Sequence, residues 1–359
     1  MTILIFIIVL SILVFVHEFG HFWVAKKEGL RVEEFGFGFP PRLFGLKKGE
    51  TIYSINLIPF GGFVKIFGEN GEERQDPRSF SSKGPGTRSL VAVAGVVMNV
   101  LLAMILLIMG NFLGLRVGLD EKLSEPAKDV KIQVIQVALG SPAENVGLRA
   151  LDEILQLSVP EETLIPEEVK QIQDFVKRHG GKVIDIKAKR GSNEIFFKVL
   201  ARANPPPGQG ALGVSLAKTG VVSYPWYLAL LKGIENTFIL TANTIFAFGL
   251  FFKSLFVQGK VLSDVAGPIG IAVLTGQAAS LGMSYLIQFV ALLSINLAVL
   301  NLIPFPALDG GRFLFLLLEK IVKHPLLHRL EVAANAVGLF LLIILMVLVT
   351  VKDVGKLIN

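Results

Sequence analysis

Four stretches of the chain stay apolar for about 20 residues, the length an α-helix needs to cross a bilayer: Ile3 to Ala25, Leu90 to Leu115, Tyr285 to Pro304 and Val332 to Val351. Between the first two the period changes. Phe35-Gly-Phe37-Gly-Phe39, Tyr53-Ser-Ile55-Asn-Leu57 and Phe63 to Phe67 alternate, with Pro40-Pro41 and Gly61-Gly62 as turns, and a period of two predicts strands. The expectation for residues 31–67 is a small sheet that dips back into the membrane and offers an open edge. Residues 120–216 have a soluble character. Strands are predicted at Lys131 to Ala138, Asp152 to Val159, Val183 to Lys189 and Glu194 to Ala201, a turn with a short helix at Ser141 to Leu148, and a helix from Pro166 to Arg178. Asn204 to Gly210, with three consecutive prolines, reads as a stiff connector. Residues 223–258 mix Trp226, Tyr227 and many Phe with Lys232, Glu235 and Lys253, which predicts amphipathic helices lying on the outer membrane surface rather than a crossing.

Composition agrees with the spans. Hydrophobic residues make up 52%, charged residues only 18%, and the mean hydropathy is +0.62, which excludes an ordinary soluble globule. The net charge of +6 does not point to nucleic acid. The cations sit beside the spans, Lys26, Lys27, Arg31, Arg42, Lys47, Lys48 and onward to Arg88 after the first, and Arg312, Lys320, Lys323 and Arg329 before the last. Loops of this kind remain cytoplasmic, which puts residues 116–283 and both termini outside. The first span lacks a basic leader region and a small-residue cleavage site, so it is expected to stay attached. The chain has no cysteine, so disulfides are excluded and metal ligands must come from His, Asp or Glu.

That restriction draws attention to His17-Glu18-Phe19-Gly20-His21 inside the first span. Ionisable side chains at membrane depth are costly and face a cavity, a partner or a metal. On a helix, His17 and His21 project from one face and can hold one Zn²⁺, with Glu18 beside the attacking water as general base. A catalytic zinc needs a third protein ligand. Asp309 is the candidate, in Asn301-Leu-Ile-Pro-Phe-Pro-Ala-Leu-Asp309-Gly-Gly-Arg312, where prolines and glycines break the helix and freed backbone must line a cavity. Two other readings stay open: a metal or proton transporter using the same four residues, and a membrane scaffold without catalysis. A solvated Asp309 beside Arg312 is the bland alternative for that residue.

HEFGH in the first span, NLIPFPALDGG at 301–311 and Gly95-Val-Val-Met-Asn99 in the second together resemble the site-2 protease family of intramembrane zinc metalloproteases, in layout closest to the bacterial regulator of sigma-E type. The resemblance implies His17, His21 and Asp309 as zinc ligands, Glu18 as the catalytic glutamate, and Asn99 and Asn301 near substrate or transition state, with Gly61 and Gly62 of the β-loop alongside them. It also implies cleavage within transmembrane segments of single-span proteins such as anti-sigma factors or remnant signal peptides, held in the lipid bilayer of the bacterial inner membrane. The soluble segment, with Gly140 to Leu148, is similar to a circularly permuted PDZ domain, and a substrate's new C-terminus is its conceivable ligand. Leu151-Asp152 replaces the usual Gly-Asp there, which favours a size filter over peptide capture. The expected fold is an α-helical integral membrane protein with four transmembrane helices, a membrane-re-entrant β-loop and one inserted extracytoplasmic PDZ-like α/β domain. Its segments are 1–115, 116–218, 219–283 and 284–359.

Overall fold

The computed structural model describes residues 1–69, 71, 73–119, 127–206, 208–258, 266–322 and 326–358. Pro207 of the expected connector and Lys323 of the cationic loop lie outside them. The chain forms two compact units, one from Met1–Gly110 with Leu230–Asn359, the other from Asn111–Ala229.

The first unit opens with α1 (Thr2–Lys27), in which buried Val9, Leu13, His17, His21 and Ala25 recur every four positions, with Ser11 and Gly20 buried beside them. That spacing makes one inward stripe, while Ile3, Ile8 and Ile12 on other faces stay exposed. Two long strands follow, β1 (Val32–Lys48) and β2 (Thr51–Ile66). They pair antiparallel from Val32↔Ile66 to Phe37↔Gly62 and again from Arg42↔Asn56 to Lys48↔Thr51, and Glu34 to Phe37 also lie beside Ile52 to Ile55. The hairpin is thus folded on itself into four neighbouring segments, 62–66, 32–39, 51–58 and 42–48, with 62–66 on an open edge. Phe35 stacks on Phe22 of α1 at 4.8 Å between ring centres, and Ser11 Oγ donates to the Pro59 carbonyl at 2.8 Å. These contacts hold the folded hairpin along the histidine-bearing helix. Leu43, Phe44, Leu46, Ile55 and Leu57 at the far end remain exposed. The next helix, α2 (Pro85–Leu113), approaches α1 so closely that a Cβ on Gly20 would lie 2.5 Å from the Ala94 carbonyl oxygen.

The second unit is built on β3 (Leu115–Gly118), β4 (Lys128–Val137), α3 (Pro142–Asn145), β5 (Glu153–Val159), β6 (Glu162–Leu164), α4 (Val169–Arg178), β7 (Val183–Arg190), β8 (Asn193–Leu200) and β9 (Val214–Val222). Its sheet runs β3-β9-β4-β5-β7-β8, with β6 on β5. Phe175, Leu157, Ile184, Ile186, Val134 and Val199 form its core. Asp152 is buried and takes Arg190 through both carboxylate oxygens at 2.7 Å, and the carboxylate beside it raises the guanidinium pKa above its ordinary value.

The first unit resumes with α5 (Trp226–Gln258), α6 (Pro268–Leu281), α7 (Met283–Leu302), α8 (Asp309–Val322) and α9 (Leu326–Ile358). Among the described residues five helices, α1, α2, α5, α7 and α9, are long and apolar enough to cross a membrane. That is one more than the spans read from sequence, because residues 226–258 form a single helix where separate amphipathic pieces were expected.

Candidate metal centre

One helical turn separates His17 from His21, and their Nε2 atoms lie 3.2 Å apart. The third group arrives from far along the chain. α7 ends at Leu302, and seven residues later Asp309 opens α8. Its Oδ2 lies 3.0 Å from His17 Nε2 and 3.4 Å from His21 Nε2, yet it accepts no hydrogen bond. Three electron-rich atoms therefore surround one point at edges of 3.0, 3.2 and 3.4 Å. Ligands about 2.05 Å from a tetrahedral zinc stand about 3.3 Å from each other, so the donor set and its spacing fit that ion.

The shell behind the ligands is made largely of backbone. His21 Nδ1 lies 2.7 Å from the Val91 carbonyl oxygen. A carbonyl only accepts, so Nδ1 carries the proton and Nε2 presents its lone pair. One turn further along α2, Gly95 faces both rings, and a Cβ there would lie 2.5 Å from His21 Nε2 and 2.6 Å from His17 Cε1. Asn99, fully buried, completes the row with its Nδ2 3.3 Å from His17 Nδ1. Its own carbonyl accepts from Ser294 of α7 at 2.7 Å.

Asp309 is fixed by its loop. Ala307 adopts a left-handed φ of +75° and donates its N–H to Asn335 Oδ1 of α9 at 2.9 Å. The backbone of Leu302 and Ile303 fills the space a Cβ on Gly310 would need. Arg312 turns away from Asp309 to pair with Glu69, its guanidinium 4.4 Å from the centre of the Phe80 ring. Arg88 of α2 pairs with Glu319 of α8 at 2.6 Å. The helix-end pair of Asp309 with Arg312 allowed by the sequence is not formed.

Beside the ligands a cavity of about 260 Å³ is lined by Val14, His17, Glu18, Asn99, Leu297, Asn301, Ala307, Leu308 and Asp309. Glu18 Oε2 accepts the Val64 N–H at 3.1 Å, an amide on the open edge of the folded hairpin. Gly61 and Gly62 sit in β2 near Val14 and Glu18 without lining the cavity. The structure thus brings together six of the eight residues singled out from sequence and sets the two glycines behind them. Sequence reasoning missed the Val91 carbonyl and the Val64 amide, which leave no side-chain signature. Asn335 was visible as an isolated amide in the last apolar span.

The model of peptidase family M50 matches residues 5–345. A Clostridium perfringens protein provisionally named a zinc metalloprotease is 37% identical over 360 residues, covering 99% of this chain and 98% of its own length. The zinc metalloprotease RasP of Shouchella clausii is 31% identical, with 99% of both chains covered. The regulator of sigma E protease of Haemophilus influenzae is 28% identical, with 97% of each covered.

Proposed function

This chain belongs to peptidase family M50, a family of zinc metalloendopeptidases, and from that premise we propose that it hydrolyses peptide bonds inside the transmembrane segments of single-span proteins. The observation that carries the reading is the triangle of His17 Nε2, His21 Nε2 and Asp309 Oδ2, set among helices apolar enough to lie in lipid. Zinc held by these three residues supplies a Lewis acid that polarises the scissile carbonyl and acidifies water. Glu18 takes the proton of the attacking water on its carboxylate and returns it to the departing amide nitrogen. Asn301 lines the cavity and is placed to donate to the developing oxyanion. No covalent intermediate with the protein is needed.

A transmembrane substrate hides its peptide bonds in a helix, so it must be held extended. The segment 62–66 is suited to this, because its outer edge is unpaired in the sheet and runs past Glu18. A substrate strand added to that edge would take the Val64 N–H and release Glu18 for catalysis. Anti-sigma factors and remnant signal peptides are the candidate substrates that the family resemblance implies, and one relative carries the name of a regulator of sigma E protease.

We read the membrane topology as four crossings, with α5 on the outer surface. The neighbours of α6 support this. Gly276 abuts Thr2 at the start of α1, and Gly267 and Gly270 abut Asp353 near the end of α9, whose Oδ2 accepts the Gly270 N–H at 2.8 Å. Both neighbours lie at the outer level if the cationic loops are cytoplasmic. The eight steps from Gln258 to Ala266 reach about 28 Å at full extension, short of the about 30 Å of hydrocarbon that a crossing α5 would have to recover.

The unit 111–229 is read as a PDZ-like module outside the cytoplasm that filters substrates by size. Its groove of about 390 Å³ between α4 and the start of β9 is present, but the Gly213 N–H that a peptide carboxylate would seek already donates to Gly210 at 3.0 Å.

The deciding experiment reconstitutes the chain in lipid and follows single-span substrates by mass spectrometry. Wild type should cut within the span, and Glu18→Gln should bind zinc with no turnover. Cleavage by Glu18→Gln at the wild-type rate would remove Glu18 from the mechanism.

A further inference from the structure

His17 poses a problem that His21 does not. To ligate through Nε2, a neutral imidazole must carry its single proton on Nδ1, and a buried N–H needs an acceptor. For His21 that acceptor is the Val91 carbonyl at 2.7 Å. At His17 the group facing Nδ1 is the Asn99 carboxamide, with its NH₂ at 3.3 Å and its Oδ1 buried without a partner. Donation from Asn99 Nδ2 would force the imidazole proton onto Nε2 and block the lone pair that faces Asp309.

A half-turn of the amide exchanges oxygen and nitrogen at no cost in shape. It puts Oδ1 opposite Nδ1–H and frees Nε2, and it turns the NH₂ to the position where the oxygen had no partner. Gly95 adds no side chain at that edge of the ring, where a Cβ would lie 2.8 Å from His17 Nδ1. We propose that Asn99 is a positioning residue whose carboxamide oxygen accepts the His17 Nδ1–H and so fixes the tautomer and ring orientation that present Nε2 to zinc. Val91, Gly95 and Asn99, each four residues apart, make one face of α2 the outer shell of both histidines. The inference rests on the zinc reading of the preceding section and moves Asn99 from the substrate to the ligand; Asn301 remains on the substrate side of the cavity.

The test measures zinc affinity of the full-length chain in lipid by competition with a fluorescent chelator, for wild type, Asn99→Leu and Asn99→Asp, beside the ¹⁵N ring shifts of labelled histidine in the metal-free proteins. Loss of an outer-shell acceptor typically weakens metal binding about 10–100-fold, which is the drop expected for Asn99→Leu. Asn99→Asp keeps an acceptor and cannot donate, so it should bind within a few-fold of wild type and retain a protonated Nδ1 signal. Asn99→Asp that folds but binds zinc as weakly as Asn99→Leu overturns the proposal, as does Asn99→Leu at wild-type affinity, which would leave Asn99 to substrate and show in cleavage alone. Wild type that binds no zinc overturns the metal centre and this inference together.

Discussion

At the scale of single residues, the centre depends as much on what is missing as on what is present. Gly95 lies against both imidazoles because it has no side chain. Gly95→Ala adds one methyl group within 2.6 Å of His17 Cε1, and α2 cannot retreat while Gly20 packs on its backbone. Zinc content by elemental analysis should fall by at least about tenfold, with helix content by circular dichroism unchanged; full zinc occupancy would mean the rings have room to move. The proposed ligands His17 and His21 and the proposed base Glu18 are legible in the sequence alone, since a five-residue motif on a helix fixes its own geometry. Asp309 is legible there as a costly acid in apolar surroundings, but its meeting with the histidines, 292 residues from His17, required the fold.

Among the elements, the loop between α7 and α8 carries the third ligand in a conformation it would not keep alone. Ala307 is held left-handed by one hydrogen bond to Asn335, and Gly338 of α9 leaves just enough space for the Pro306 carbonyl. Asn335→Leu removes the side-chain acceptor of the exposed Ala307 N–H, and a hydrogen bond of this kind contributes about 0.5–1.5 kcal/mol. The expected outcome is a lower thermal midpoint and weaker zinc retention than wild type; an unchanged midpoint would free the loop from α9. Elements of the second unit were read closely from alternation and caps: Lys131 to Ala138 against β4 (Lys128–Val137), and Glu194 to Ala201 against β8 (Asn193–Leu200). The short β3 was hidden in an apolar run counted to the second span, and no strand was predicted at β9. Strands completed by distant partners carry little local signal.

Across the whole molecule, the absence of cysteine makes topology directly measurable. Gln258→Cys, at the end of α5, should react with a membrane-impermeant maleimide from outside intact cells if α5 lies on the surface; labelling only after lysis would make α5 a fifth crossing and force α6 back across the membrane. Sequence by itself determined that the chain has apolar stretches long enough to span a membrane, which loops carry the positive charge, that a soluble segment interrupts the spans, and which residues are candidates to bind zinc and move a proton. Those properties follow from local quantities: apolar length, charge and helical spacing. Only the tertiary structure decided that Asp309 closes on the two histidines, that the open hairpin edge donates to Glu18, and that one face of α2 supports both rings. Each of these joins groups remote in the chain, often through backbone atoms that every residue possesses, and so no residue type announces them.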